Sequence, residues 1–232
     1  MGKKYKHLFF DLDHTLWDYD QNARESLMEL YSMYALKNFG KFSAEQLVDK
    51  FFRVNTQFWY LYDLKKIDKE HLREERFRTV FRELGFADMD LAFQFGEDYV
   101  NLCPTKTAVM PGAIELLTYL VEKYPIHIIT NGFDDIQSVK IKSSGLEKFF
   151  SEVITSQRAG ARKPSPQIFE YAMQLTGATP ATSAMVGDNL VTDIGGARGH
   201  GIDHFYFNPE KLPHTEPVTL EIHSLSELHH HF

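Results

Sequence analysis

At 232 residues, with 43% hydrophobic and 25% charged residues, the chain is long enough for one large domain or a core carrying a sizeable insertion. A formal charge of -7 argues against a broad nucleic-acid-binding surface, which needs a basic stripe. It leaves room for a small anionic substrate in a cleft where local cations reverse the field. The single cysteine, Cys103, excludes an internal disulfide. The basic start Met1-Gly2-Lys3-Lys4-Tyr5-Lys6 is followed by only Leu8-Phe9-Phe10, too short for a signal-peptide core, and no run approaches membrane-spanning length. The expectation is a cytoplasmic protein with no membrane partner.

Short apolar runs, each ending in a polar cluster, mark the first residues and the second half of the chain. Leu8-Phe9-Phe10 runs into Asp11-Leu12-Asp13. The intervening stretch reads as helices: Leu27, Leu30, Tyr31 and Tyr34 share one helical face. Ser43-Ala44-Glu45-Gln46 has the form of a capping box, and Phe77, Val80, Phe81 and Leu84 form a stripe that stops at Gly85. Ile114, Leu117, Leu120 and Val121 follow Pro111-Gly112 as another stripe. Ile126-His127-Ile128-Ile129 then ends in Thr130-Asn131-Gly132, and Val153-Ile154 ends in Thr155-Ser156-Gln157. Pro164-Ser165-Pro166 opens a helix through Ile168, Phe169, Ala172 and Leu175, closed by Gly177. Ala184-Met185-Val186 ends in Gly187-Asp188-Asn189, and His204-Phe205-Tyr206-Phe207 ends at Asn208-Pro209. Short Val/Ile/Phe-rich runs alternating with helices predict an α/β fold with an open, doubly wound, mainly parallel sheet. Residues 1–16 and 107–232 form its core, and residues 17–106 an inserted helical cap.

In such sheets ligands sit beyond the carboxyl ends of the strands, where all four polar clusters fall. Asp11 and Asp13, one residue apart, face one way on an extended segment. Two carboxylates so close repel unless a cation neutralises them. If the first and fourth strands are neighbours, Asp188 and Asp193 join them, and the cluster calls for a hard divalent cation with oxygen ligands, ordinarily Mg²⁺. A carboxylate nucleophile divides phosphate-ester hydrolysis into two displacements, and a second carboxylate serves as acid, then base. Asp11 and Asp13 suit those roles. Thr130 and the Asn131 amide can hold phosphate oxygens, and Lys163 can supply an ammonium. Singly, each motif also has a bland reading: a solvated turn, a surface lysine before a helix, or, for Asp193, a loop support. Their order, each after a separate buried run, is what the bland readings do not explain.

With these residues in place the chain resembles the haloacid dehalogenase superfamily over essentially its whole length. Asp11-Leu12-Asp13-His14-Thr15-Leu16 is similar to its first motif and Thr130-Asn131-Gly132 to its second. Lys163-Pro164 matches the third, and Gly187-Asp188-Asn189-Leu190-Val191-Thr192-Asp193 the fourth. The resemblance implies a Rossmann-like core with a helical cap, Asp11 as nucleophile and metal ligand, and Asp13 as acid/base with its backbone carbonyl on the metal. It implies phosphate contacts from Thr130 and Lys163, the latter also near Asp11. It places Asp188 on Mg²⁺, and Asp193 on the metal or its water shell. Dehalogenase members lack a carboxylate at the position of Asp13, because a halide leaves unprotonated; its presence favours a phosphatase.

Ile129-Thr130-Asn131-Gly132-Phe133, Gly145-Leu146 and Phe149-Phe150 resemble the pyrimidine 5′-nucleotidase branch. So do the segment from Asn55 to Tyr62 and Arg76-Phe77. The resemblance implies a phosphomonoesterase acting through an aspartyl-phosphate on a small phosphorylated metabolite, a pyrimidine nucleoside 5′-monophosphate. Phosphatases of sugar phosphates or other small metabolites, and a phosphoryl-transfer mutase, are the alternatives. Trp59, with Asn55 one helical turn before it, is the cap's candidate substrate contact; Trp17 and Asp18 are read as hinge or entrance residues. His14 could touch the leaving group or stabilise its turn.

Overall fold

A computed structural model describes residues 4–232. Met1, Gly2 and Lys3 of the basic N-terminal stretch lie outside the described residues. The chain divides into two compact units, Asp20–Lys106 on the one hand and Met1–Tyr19 with Thr107–Phe232 on the other.

The helical unit contains α1 (Tyr19–Met33), which begins one residue before it, α2 (Ala44–Asp63), α3 (Lys69–Glu83) and α4 (Met89–Leu102). Leu27, Leu30 and Tyr31 are buried on one face of α1, and Tyr34 lies just beyond its end. Ser43 caps α2 in both directions: its hydroxyl accepts from Gln46 N, and Gln46 Oε1 accepts from Ser43 N. Phe77, Val80 and Phe81 of α3 are fully buried, and Gly85 at φ +74° ends that segment. Ala92, Phe95 and Tyr99 form the buried face of α4, and Gly96 sits among them in mid-helix, where it weakens helix propensity. The structure shows its use: a Cβ there would lie 3.1 Å from the Phe77 ring, so glycine lets α3 and α4 approach closely. Phe51, Phe77, Phe81 and Phe95 then pack with ring centroids 5.1–5.4 Å apart.

The α/β unit, among the described residues, has six strands. They are β1 (His7–Phe10), β2 (Ile126–Thr130), β3 (Glu152–Thr155), β4 (Ser183–Gly187), β5 (Asp203–Phe207) and β6 (Leu220–Ile222). Their order is β3-β2-β1-β4-β5-β6 and every pairing is parallel. Helices α5 (Ala113–Val121), α6 (Asp134–Ser143), α7 (Ser156–Ala159), α8 (Pro166–Thr176) and α9 (Gly196–Gly199) connect them. β2 and β4 are buried throughout, as strands covered on both faces must be. Phe9, Ile129, Ile154, Ile168, Phe169 and Met185 share one apolar cluster. β6 was not expected; three residues with Glu221 at their centre carry too little apolar signal.

Chain order reverses at β1, which pairs with β2 on one side and β4 on the other. Phe10 lies beside Ile128 and Val186, so the residues that follow β1, β2 and β4 emerge along one edge of the sheet. That edge, at the topological switch point, is where a doubly wound sheet opens a crevice. The crossings on either side of the helical insertion pair with each other: Trp17 bridges Val109, Met110 N donates to Leu16 O, and Asp18 N donates to Ala108 O. Trp17 is fully buried in this junction, which corrects its reading as an entrance residue.

Candidate active site

Asp11 follows the last residue of β1, and its backbone N–H donates to Val186 O of β4. Its buried carboxylate receives Lys163 Nζ on one oxygen at 2.5 Å. The other oxygen takes no hydrogen bond among the described residues. Lys163, itself buried, also lies 2.6 Å from Asp193 Oδ1 and 2.7 Å from Ile129 O. An ammonium has three N–H groups and all three face protein oxygens, so Lys163 offers a bound anion its charge and no spare donor. Its main chain is fixed by Asn131, whose carboxamide donates to Lys163 O and accepts from Lys163 N. The Lys163–Pro164 peptide is cis.

Asp188 follows the last residue of β4, and its Oδ1 accepts from Thr15 at 3.2 Å. A π-helical turn, Leu190–Gly195, follows; Asn189 starts it by accepting from Val191 N and Thr192 N. That turn swings Asp193 back beneath the strand, where Oδ2 accepts from Asn189 N. Gly187 is required here, since any Cβ would run into the Asp193 carboxylate.

Asp11, Asp188 and Asp193 each bring a carboxylate oxygen to within 4.8 Å of the other two. Burial pushes Asp11 well above the usual carboxylate range; Lys163 opposes this, while Asp193 and Asp188 add to it. Burial, then Asp193, pushes Asp188 up to about 7 against the pull of Lys163. Burial alone would lower Lys163, yet Asp11 and Asp193 outweigh it and hold the ammonium above its ordinary value. Three carboxylates thus face one ammonium, and the excess charge is what a hard divalent cation neutralises. Such a cation fits this all-oxygen donor set.

The Asp13 carboxylate stands outside that group. Lys140 Nζ lies 2.5 Å from its Oδ1 and Gln137 Nε2 donates to its Oδ2 at 2.9 Å. Burial would raise Asp13, but Lys140 and Gln137 more than offset it and hold it below its ordinary value. Thr130, the last residue of β2, accepts at Oγ1 from Gln137 Nε2 (2.8 Å) and from Gly132 N (3.1 Å). With both lone pairs filled, its hydroxyl proton is left to donate. Thr15 belongs to the first motif but carries no role from sequence alone, and Gln137 and Lys140 lie outside all four motifs. The available signal was the spacing of Gln137 and Lys140, one turn apart on the helix that follows β2.

Two further candidates lie in the helical unit. Asn55 is buried and accepts from Arg76 at 2.8 Å, and the Arg76 guanidinium sits 5.4–5.7 Å from the rings of Phe51, Phe77 and Tyr99. Its carboxamide oxygen is therefore already engaged. Trp59 is half-buried and meets Tyr62 edge to face at 5.6 Å. His14 is exposed, at φ +62°, with its ring 4.9 Å from that of Tyr19.

Sheet order and side chains together define a doubly wound α/β protein with a lysine-bridged carboxylate cluster at its switch point. The family model for haloacid dehalogenase-like hydrolases matches residues 5–201, and the chain belongs to that family. Pyrimidine 5′-nucleotidase PynA of Streptococcus pneumoniae is 33% identical over 97% of this chain and 93% of its own length. Pyrimidine 5′-nucleotidase YjjG of Escherichia coli is 29% identical over 97% and 96%. The magnesium-bound structure of the HAD-hydrolase YfnB of Bacillus subtilis superposes with a TM-score of 0.85 at 25% identity, covering 98% of both chains. Among the described residues no helix is long and apolar enough to cross a membrane.

Proposed function

We propose that this hydrolase is a divalent-metal-dependent phosphomonoesterase, working with Mg²⁺ through an aspartyl-phosphate on Asp11, and that its substrates are pyrimidine nucleoside 5′-monophosphates. One observation carries the chemistry: Asp11 is gripped by Lys163 on one oxygen and open on the other, with a second carboxylate, Asp13, held two residues away. The substrate rests on the likeness to PynA and YjjG, and the metal on the acidic cluster and the magnesium in YfnB.

Asp11 and Asp188 would hold the cation, with the Asp13 carbonyl, while Asp193 ligates it or orders its water. When bound, the cation neutralises the carboxylates and draws charge from the phosphoryl oxygens. The open oxygen of Asp11 attacks phosphorus, and the bond to the leaving oxygen breaks. Lys163 contributes its charge, and the Thr130 hydroxyl donates to a phosphoryl oxygen. Asp13 protonates the leaving oxygen. The negative phosphoryl group raises its proton affinity, offsetting the hold of Lys140. In the second step Asp13, now ionised, takes a proton from the water that displaces Asp11 from phosphorus and frees inorganic phosphate. Asn131 acts by fixing Lys163. In the helical unit we assign base contact to Trp59, and to Asn55 an indirect part through Arg76.

Phosphate release from nucleoside monophosphates, sugar phosphates and small phosphomonoesters, with Mg²⁺ and with chelator, tests this reading beside Asp11→Asn. Metal-dependent release, highest on pyrimidine nucleotides and lost in Asp11→Asn, is expected. A preference for sugar phosphates would overturn the substrate, and no release from any ester would overturn the chemistry.

A further inference from the structure

Gln137 is completely buried on α6, and its carboxamide nitrogen makes two bonds: to Asp13 Oδ2 at 2.9 Å and to Thr130 Oγ1 at 2.8 Å. Its carboxamide oxygen is buried and takes no hydrogen bond among the described residues. A buried acceptor left without a partner is unfavourable, and native interiors avoid it. Turning the amide over would set that oxygen against the Asp13 carboxylate, which is worse. Asp13 therefore dictates how Gln137 points, and Gln137 in turn dictates how Asp13 points.

One turn further along α6, Lys140 takes the other oxygen of Asp13 at 2.5 Å. Its ammonium lies 4.4 Å from the centre of the buried Trp17 ring, so the lysine is itself anchored. Both carboxylate oxygens are thus held by two side chains of one helix, which fixes the plane of the group. Gly132 completes the arrangement: a Cβ there would strike the Gln137 carboxamide, so glycine at the end of the Thr130 turn makes room for the clamp.

From this geometry we infer that Gln137 and Lys140 are positioning residues, which aim Asp13 at the leaving oxygen and tie it to the phosphate-holding Thr130. The inference rests on the reading of Asp13 as acid/base. A general acid works only within hydrogen-bond reach of the atom it protonates, so loss of aim costs rate even where the carboxylate remains. The clamp matters in proportion to how much the leaving group needs a proton. A nucleoside or alkyl alkoxide needs one; p-nitrophenolate departs without it.

The test compares kcat/KM, which reports the first displacement, for an alkyl phosphate such as a nucleoside 5′-monophosphate and for p-nitrophenyl phosphate. Gln137→Met keeps the length of the side chain and removes both hydrogen bonds. It is expected to lower kcat/KM on the alkyl ester about 30-fold or more and on the aryl ester by about threefold or less. The ratio of the two is unaffected by how much of a variant folds. Lys140→Met, acting on the other oxygen, is expected to shift it in the same direction. In an Asp13→Asn background, adding Gln137→Met should leave the ratio unchanged, because the residue acts through Asp13. Equal losses on both esters, or a full further shift in the Asp13→Asn background, would overturn the inference while leaving the phosphatase reading intact. Failure of the unaltered protein to release phosphate from either ester would overturn both.

Discussion

Asn131 and Lys163 hold each other by two main-chain bonds across the sheet edge: the asparagine donates to Lys163 O at 3.0 Å and accepts from Lys163 N at 2.8 Å. This is a backbone-like pairing made by one side chain. It sets the lysine's main chain, so that a side chain rising from the segment after β3 ends between Asp11 and Asp193.

Asn131→Ala removes both bonds and leaves a Lys163 N–H and C=O to find other partners. Stability should fall by about 1–3 kcal/mol. The turnover number should fall by roughly 10- to 100-fold, since a small displacement of a positioned group is costly. Thermal unfolding and steady-state kinetics measure both. An unchanged turnover number would show that Lys163 holds its place without Asn131.

Asp188 makes the metal-free site sensitive to pH. Its folded value of about 7 lies above that of an unfolded carboxylate, so its stabilisation is present at low pH and lost as pH rises through about 7. Asp188→Asn does not titrate. With chelator present, the variant should gain on the unaltered protein as pH rises from 5 to 8, by on the order of 1 kcal/mol. Adding Mg²⁺ at pH 8 should reverse the difference, stabilising only the protein that keeps the carboxylate. Melting temperatures at the two pH values, with and without metal, would reveal either pattern.

At the opposite end of the strands His127, buried in β2, shares a hydrogen bond with His7 at 3.1 Å, and its Nδ1 has no partner among the described residues. Burial, with a smaller push from His7, lowers it to about 4. A histidine depressed in this way favours folding above its unfolded value and loses that contribution as pH falls toward 4. Replacing it by leucine should flatten the decline in stability between about pH 6.5 and 4, by about 1–2 kcal/mol. An acid limb identical to that of the unaltered protein would assign the decline to other groups.

Much of the site could be read before the fold was known, because Asp11, Thr130 and Asp188 each stand at the end of a buried run that marks a strand. The parallel sheet follows from those same runs. What stayed hidden has physical causes. Gly96 gives up helix propensity for close packing on Phe77, a reason that lies in α3 and not in α4 itself. Gln137 and Lys140 look like the polar face of a surface helix, and only Asp13 and Thr130, far away in sequence, make their burial tolerable. Asn55, a candidate substrate contact by its place one turn before Trp59, is buried and engaged by Arg76, itself buried among aromatic rings. Partners distant in sequence leave no local trace.

On the proposed route the phosphoryl group passes through Asp11. Rapid mixing with excess substrate and Mg²⁺, acid quenching and borohydride reduction would convert an acyl phosphate at that residue to homoserine, detectable by peptide mass. Conversion is expected at position 11 alone, rising with the first turnover and absent from Asp11→Asn. Steady phosphate release with no conversion at Asp11 at any quench time, or conversion at another carboxylate, would contradict it.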